Sequence, residues 1–252
     1  MKSILVGNWK NYPNSIKEAK NILTGLTRHS KVLKKLSVFV APPSVYLDMV
    51  STKVKKVGAL ASQDIFELSS GTHTGAVTLE MLKDLGVRLS IIGHSERRKL
   101  GETNQLISEK VMVALKSGII PLVCVGEEVH DVEGGYFEVL CEQIKSSLSS
   151  IKRSDDAKKL VIAYEPVWAI GDNAKKAMDP VELSQMVIFI KKVLTETFGR
   201  KVADKVPVLY GGSVDGANAR ELFKTTGISG FLVGRASLDS KSFSEIAVAL
   251  TK

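Results

Sequence analysis

The chain has 252 residues, enough to bury a large core in one α/β barrel or in two smaller domains. Hydrophobic residues make up 44% of it and charged residues 25%, and no apolar run approaches the roughly 20 residues that span a bilayer. The net charge of +8 comes from lysines spread in pairs over many predicted helices. This spread predicts a solvated surface that mildly attracts anionic substrates, and it argues against nucleic-acid and membrane partners.

Cysteine and histidine usage indicates the compartment and argues against a metal site. Cys124 and Cys141 lack metal-ligand spacing, and two thiols in a chain of this size are typical of a reducing cytoplasm. The first residues turn polar at Asn8, too early for a signal peptide. The four histidines are scattered: His29, His73, His94 and His130. We expect a cytoplasmic protein with no metal and no cofactor.

Eight short apolar runs recur along the chain, and each is followed by a longer segment of helical periodicity. They are apolar on successive residues, as expected for a parallel sheet covered on both faces. Eight runs in 252 residues give about one per 31 residues, the size of one strand–helix unit. The runs are Ile4–Gly7, Val38–Ala41, Gly58–Ser62, Leu89–Gly93, Ile119–Val125, Leu160–Tyr164, Val206–Tyr210 and Gly230–Gly234.

The segment from Asp179 to Gly199 shows that the helices between the runs have readable ends. Asp179 is a predicted N-cap, Pro180 occupies the first helical position, and Gly199 ends the helix. No proline-, serine- or glycine-rich linker divides the chain, so we expect one (β/α)8 barrel domain over residues 1–252. An open doubly wound sheet is the alternative, but "VGNWKNYP" lacks its usual glycine-rich turn.

Polar residues and glycines follow the carboxyl ends of six runs, which is where the active sites of such barrels lie. Each of them alone has an ordinary structural explanation, but together they predict one site on one rim. They are Asn8 and Lys10 after the first run, His94, Ser95 and Glu96 after the fourth, Glu127 after the fifth, Glu165 after the sixth, Gly211, Gly212 and Ser213 after the seventh, and Gly234 and Arg235 after the eighth.

The residue types at this rim suit proton transfer on a small phosphorylated aldehyde or ketone. Backbone N–H groups at glycine turns bind phosphate, and Lys10 adds a cation. A carboxylate can take a proton from a carbon next to a carbonyl group while an imidazole polarises the carbonyl oxygen.

Motifs along the whole chain resemble the triosephosphate isomerase family: "GNWK", "VAPP", "IIGHSERR", "VCVGE", "YEPVWAIG", "LYGGSV" and "FLVGRASL". The resemblance implies a cofactor-free aldose–ketose isomerase that interconverts dihydroxyacetone phosphate and D-glyceraldehyde 3-phosphate through an enediolate, in glycolysis and gluconeogenesis. It also implies a (β/α)8 barrel and a homodimer.

The resemblance implies a role for each matching residue. Glu165 is expected to be the base, and His94 the electrophile that acts on the substrate oxygens. Lys10 and Asn8 are expected to hold the substrate and stabilise the enediolate. In this family a helix N-terminus keeps the histidine neutral, a point supplied by the resemblance and not by this sequence. Gly171, Ser213, Gly234 and Arg235 are expected to bind the phosphate through backbone groups. Ser95 and Glu96 are expected to orient the histidine and the lysine.

The resemblance also implies a lid, which closes over the phosphate and keeps water from the enediolate. The lid residues are Pro166, Val167, Trp168, Ala169, Ile170 and Gly171, within a segment that runs to Ala177 and is expected to be open and mobile without ligand. Tyr210 and Ser213 are similar to the groups that latch the closed lid.

Three positions depart from the family pattern. The lid tip reads Asp172-Asn173-Ala174, and Arg235 stands where a second glycine is usual. Thr74 matches a threonine that a neighbouring subunit inserts beside the active site, but Ala76 replaces a glutamate that usually pairs with an arginine across the interface. Two other functions stay open: an isomerase of four-carbon sugar phosphates on the same barrel, and a non-catalytic barrel that serves as a binding partner.

Overall fold

Eight parallel strands form a closed barrel, in a computed structural model that describes residues 2–66, 71–169 and 177–251. Each strand pairs with the next along the chain, and β8 pairs with β1 to close the barrel. The predicted barrel is therefore confirmed. The strands are β1 (Ile4–Asn8), β2 (Ser37–Ala41), β3 (Ala59–Ser62), β4 (Val87–Ile92), β5 (Ile120–Val125), β6 (Val161–Tyr164), β7 (Val208–Tyr210) and β8 (Gly230–Val233).

Helices connect the strands around the outside of the barrel. The α-helices are α1 (Ile16–Arg28), α2 (Ser30–Leu33), α3 (Leu47–Val54), α4 (Leu79–Asp84), α5 (Ser95–Lys99), α6 (Asn104–Ser117), α7 (Gly135–Ser147), α8 (Ser154–Ala157), α9 (Pro180–Phe198), α10 (Arg200–Ala203), α11 (Ala219–Thr225) and α12 (Ser240–Ala249). Short 3-10 helices cover Ser44–Tyr46, Val167–Ala169 and Arg235–Ser237. In the described ranges, no helix is long and apolar enough to cross a membrane.

All eight predicted runs overlap a strand, and their limits agree within one residue except at two positions, where they differ by two residues for clear reasons. β4 begins two residues before the run, at Val87, because the exposed Arg88 interrupts the apolar pattern without interrupting the strand. β7 begins two residues after the run starts, at Val208, because the Val206 N–H still donates to Val202 O at the end of a helical turn. Apolar character predicts burial, while backbone hydrogen bonding sets the ends of a strand.

Successive strand residues are buried on opposite faces of the barrel wall. Ile4 and Val6 belong to a cluster drawn from all eight strands that fills the interior, whereas Leu5 belongs to the larger cluster between strands and helices. This two-sided burial explains why the runs are apolar at every position.

The predicted ends of α9 are also confirmed. Asp179 caps the helix by accepting a hydrogen bond from the Val181 N–H at 2.8 Å, and Pro180 is the first helical residue. Gly199 ends the helix with a φ of 85°, a value that favours glycine.

Candidate active site

The structure brings most of the predicted site residues to one cavity at the carboxyl ends of the strands. Its volume is about 450 Å³. Asn8, Lys10, His94 and Glu165 line one side, and the turns after β7 and β8 line the other. Ser213, Gly234 and Arg235 lie in those turns, whereas Gly171 lies outside the described residues.

Glu165 is a nearly buried carboxylate directly after β6, with only 2% of its surface exposed. The backbone N–H of Ser95 donates to Oε2 at 3.0 Å, and the Nε2 atom of His94 lies 3.1 Å from Oε1. Two glycines make room for it: a Cβ atom added at Gly211 would lie 2.9 Å from the Cγ atom of Glu165, and one added at Gly126 would lie 1.8 Å from its carbonyl oxygen. The tight fit fixes where the carboxylate can point.

His94 is the N-cap of α5, and this position assigns its ring proton. The backbone N–H of Glu96 donates to Nδ1 at 3.2 Å, so Nδ1 is an acceptor and the proton of the neutral ring is on Nε2, facing Glu165. Burial alone lowers the pKa of His94, but attraction to Glu165, the hydrogen bond with it and the charge of Glu96 raise the pKa overall.

Glu165 responds to His94 in the complementary direction. Burial raises the pKa of its carboxyl group, but the charge and hydrogen bond of His94, with the Ser95 N–H, lower the pKa overall. Both shifts therefore favour an ion pair when no ligand separates the two groups. The Glu96 N–H that donates to Nδ1 acts in the opposite direction, because Nδ1 can accept a hydrogen bond only in the neutral ring. The neutral imidazole that the family resemblance implies therefore stays a prediction.

Lys10 is held in a strained backbone conformation beside the cavity. Among the described non-glycine residues only Lys10 has a positive φ, of 46°, and such residues cluster at functional sites. Its N–H donates to Asn8 Oδ1 at 3.0 Å, and its carbonyl oxygen accepts from Gln63 Nε2 at 2.8 Å. Its Nζ atom lies 2.6 Å from Glu96 Oε1, so the two side chains form an ion pair beside the cavity.

Gln63 was missed by sequence reasoning. It lies after β3, and its side-chain amide also donates to the Ala41 carbonyl oxygen at 3.1 Å, so it connects the ends of β1 and β2. The only available signal was its position directly after a predicted strand, which does not reveal what the amide contacts.

The turns after β7 and β8 contribute Gly211, Gly212, Ser213, Gly234 and Arg235 to the lining of the cavity. Gly234 lies beside Lys10, since an added Cβ would be in ordinary van der Waals contact with the lysine Cε atom at 3.5 Å. Arg235 is exposed and begins the 3-10 helix Arg235–Ser237, so the arginine is accommodated in an ordinary backbone conformation.

Glu127 forms a buried contact with the start of the predicted lid. Its Oε1 atom accepts from Tyr164 Oη and from Trp168 Nε1, both at 2.8 Å, and Val167 N donates to its carbonyl oxygen at 3.0 Å. Burial and the charge of Glu127 raise the pKa of Tyr164, so the hydroxyl group remains a donor. The sequence placed Glu127 at the rim but did not predict this contact.

The described part of the predicted lid is short. Val167, Trp168 and Ala169 form one turn of 3-10 helix, whereas Ile170, Gly171 and the tip Asp172-Asn173-Ala174 lie outside the described residues. On the far side of the tip, the Met178 N–H donates to Tyr210 Oη at 3.1 Å. Tyr210 therefore contacts the chain where the predicted lid segment ends.

The loop after β3 is close to a charged cluster that the sequence did not reveal. Thr74 is exposed. Asp64 Oδ2 lies 2.7 Å from Arg97 Nη2, and Asp64 Oδ1 lies 2.8 Å from the buried Lys110 Nζ, which also contacts Glu102. This cluster anchors α5, the helix that His94 caps, through Arg97. Across the three described ranges, no three histidine, cysteine or acidic residues are grouped as metal ligands would be.

Comparisons with known proteins agree with the geometry of the site. The family model described as triosephosphate isomerase matches residues 3–250. A triosephosphate isomerase of Fusobacterium nucleatum is 40% identical over 249 residues, 98% of each chain, and one of Carboxydothermus hydrogenoformans is 39% identical over 248 residues, 97% of each chain. One of Flavobacterium johnsoniae is 35% identical over 252 residues, 99% of each chain. The chain therefore belongs to the triosephosphate isomerase family.

Proposed function

We propose that residues 1–252 form one catalytic domain that interconverts dihydroxyacetone phosphate and D-glyceraldehyde 3-phosphate, the activity of this family. The observation that carries the proposal is the pairing of a buried carboxylate with an imidazole. Glu165 Oε1 and His94 Nε2 lie 3.1 Å apart at the edge of a cavity that also holds Lys10. A substrate that enters this cavity meets a base, an N–H donor and a cation together.

Glu165 is proposed to move the proton between C1 and C2 of the substrate. Its carboxylate is ionised at neutral pH, since its pKa is lowered, and burial strips it of the water that would weaken it as a base. His94 donates from Nε2 to the substrate oxygens, and Lys10 and Asn8 stabilise the negative charge of the enediolate. Ser95 and Glu96 orient these groups through the contacts described above.

A bound substrate changes the protonation balance of His94. A carbonyl oxygen placed against Nε2 takes the position that Glu165 occupies without ligand, so the attraction that raises the pKa of His94 weakens. Burial and the Glu96 N–H donor at Nδ1 then both favour the neutral ring. A neutral imidazole is a weak acid whose strength is close to that of an enediol, which suits proton exchange between the two oxygens.

The phosphate is proposed to bind at the turns after β7 and β8. Ser213, Gly234 and Arg235 line the cavity there. Their backbone N–H groups are proposed to donate to the phosphate, and Gly171 is proposed to add another donor from the lid. The net charge of +8 adds a general attraction for the dianion. Closure of Pro166–Gly171 would exclude water from the enediolate.

The chain is also proposed to act as a homodimer through the loop that carries Thr74. Next to the catalytic cavity lies a second one of about 690 Å³, lined by Lys10, His94, Val45 and Leu100 among others. Val45 is 79% exposed and Leu100 84% exposed, which suits burial by a partner's loop. Ala76 cannot form an ion pair across the interface, so the dimer is expected to be weaker than is usual for the family.

A coupled assay with both three-carbon and four-carbon sugar phosphates tests the proposed function. The expected result is rapid turnover of the triose phosphates and little of the tetrose phosphates. The matched control is Glu165→Ala, which should still bind a phosphate ligand while turnover falls by more than the ~10⁴-fold upper range of general acid–base catalysis. A Glu165→Ala variant that keeps a tenth of the activity would remove Glu165 from the role of base.

A further inference from the structure

A column of aromatic rings runs from Trp168, close in sequence to the candidate base, to helix α9. Trp168 lies three positions after Glu165 and is 39% exposed. The ring centroid of His130 lies 5.3 Å from that of Trp168 and 3.8 Å from that of Tyr136, on which it is stacked. Two further contacts at 4.3 and 4.6 Å continue the column through Phe137 to Phe189 on α9.

His130 also shares a buried acceptor with Trp168. Its Nδ1 atom lies 3.2 Å from Glu127 Oε1, the same oxygen that accepts from Trp168 Nε1. Glu127 is only 1% exposed, and its other oxygen has no hydrogen-bond partner among the residues the structure describes. His130 therefore interacts with Trp168 directly through its ring and indirectly through the Glu127 carboxylate, which accepts the indole N–H.

We propose that His130 is a positioning residue for the isomerisation. It keeps the Trp168 indole hydrogen-bonded to Glu127, and this contact fixes the conformation of the segment that follows Glu165. This inference rests on the proposed function. His130 does not line the 450 Å³ cavity, so it acts on the reaction through Trp168 and not by touching the substrate.

The contacts explain why a histidine suits this position. A phenylalanine would keep the ring between Trp168 and Tyr136 but would lack the N–H donor. An asparagine would keep a donor near Glu127 but would leave a gap between the two rings. Aromatic pairing and a hydrogen bond contribute comparable stabilisation, so the loss of either the ring contacts or the N–H donor should be measurable.

The first measurement is Trp168 emission in ligand-free protein, with Trp9→Phe as the common background. Trp9 is fully buried and its Nε1 atom has no partner in the described ranges, so phenylalanine breaks no polar contact there. His130→Ala should shift the emission to longer wavelength and increase quenching by acrylamide. His130→Phe and His130→Asn should each give a smaller change. Emission that is unchanged in all three variants would overturn the proposal.

The second measurement is the kinetic coupling between His130 and Trp168. His130→Ala should lower kcat by about three- to tenfold with little change in KM, because fewer molecules hold Trp168 in place and the substrate contacts remain. In a Trp168→Phe background the same substitution should have less than a twofold effect. Additive losses would mean that His130 only supports the fold, and would refute the positioning role.

The controls separate this inference from the proposed function and from simple loss of stability. His29→Ala replaces a histidine at the end of α1 and should change neither emission nor kcat. Thermal unfolding identifies any variant that fails to fold. If His130→Ala fails to fold, the conservative variants His130→Asn and His130→Phe decide the outcome. If the wild-type protein does not isomerise triose phosphates, the proposed function fails, while the emission data still test whether His130 holds Trp168.

Discussion

Replacing Gln63 with methionine should lower both stability and activity, because the Gln63 amide supports the strained backbone of Lys10. The amide donates to two carbonyl oxygens, those of Lys10 and Ala41, at 2.8 and 3.1 Å. Methionine has a similar length and volume but no donor. The substitution thus removes the two hydrogen bonds and leaves the packing nearly unchanged.

The two lost hydrogen bonds are unequal. The Ala41 carbonyl oxygen also accepts from the Trp9 N–H at 3.0 Å, so it keeps a partner. The Lys10 carbonyl oxygen has no other donor among the contacts that the structure describes, and an unsatisfied, partly buried acceptor costs about 1–2 kcal/mol. A non-glycine residue with positive φ already carries about 1–2 kcal/mol of strain, so Lys10 has a reason to relax once it is released.

We therefore expect Gln63→Met to lower the free energy of unfolding by about 1–2 kcal/mol and kcat/KM by about tenfold, since 1.4 kcal/mol corresponds to a factor of ten. Urea unfolding and the coupled isomerase assay measure the two effects. The matched control is Gln105→Met on α6, where the amide of an exposed glutamine donates to Glu109 on the same helix and the change should be within about 0.5 kcal/mol. A Gln63→Met protein with wild-type stability and activity would refute this account of Lys10.

Three further predictions concern the ion pair, the lid and the assembly. The raised pKa of His94 stabilises the fold below pH 6.5, and the lowered pKa of Glu165 stabilises it above pH 4.5. Glu165→Gln should therefore be most destabilising near pH 5.5 and less destabilising near pH 9, as measured by urea unfolding of ligand-free protein. An equal loss of stability at both pH values would contradict the pairing of Glu165 with His94. Phosphoglycolate should shift Trp168 emission in a Trp9→Phe background within microseconds to milliseconds, and an unchanged spectrum at saturation would exclude closure. Light scattering over a dilution series should show a dimer that dissociates at low concentration, and Thr74→Arg should give a monomer of reduced activity; a fully active monomer at every concentration would end the dimer proposal.

The barrel could be predicted from the sequence because its two signals are local. Eight apolar runs at a regular spacing identify the strands, and residues such as Asp179 and Gly199 mark the ends of helices. The rim position of Glu165 follows from the same pattern, since it directly follows a run. These predictions need only the period of the apolar residues and the preferences of single positions.

Contacts between distant parts of the chain could not be predicted in this way. Gln63 reaches Lys10 across 53 residues, and Glu127 reaches Trp168 across 41. No periodicity encodes such a pair, because the partners meet only when the strands have taken neighbouring places in the barrel. The same holds for the contact between the buried Lys110 and the half-buried Asp64, which the sequence shows only as two charged residues in separate segments.

The candidate site combines several features that are unfavourable for folding alone. Lys10 has a positive φ, and Glu165 and His94 are buried although both can carry a charge. Neighbouring residues stabilise each feature. Gln63 and Asn8 form hydrogen bonds with the Lys10 backbone, and the close packing of Gly211 restricts the orientation of the Glu165 side chain. A barrel selected for stability alone would have no reason to keep this combination at one rim. Its presence there, beside a cavity of about 450 Å³, is the physical argument that the rim was shaped by proton transfer on a phosphorylated substrate.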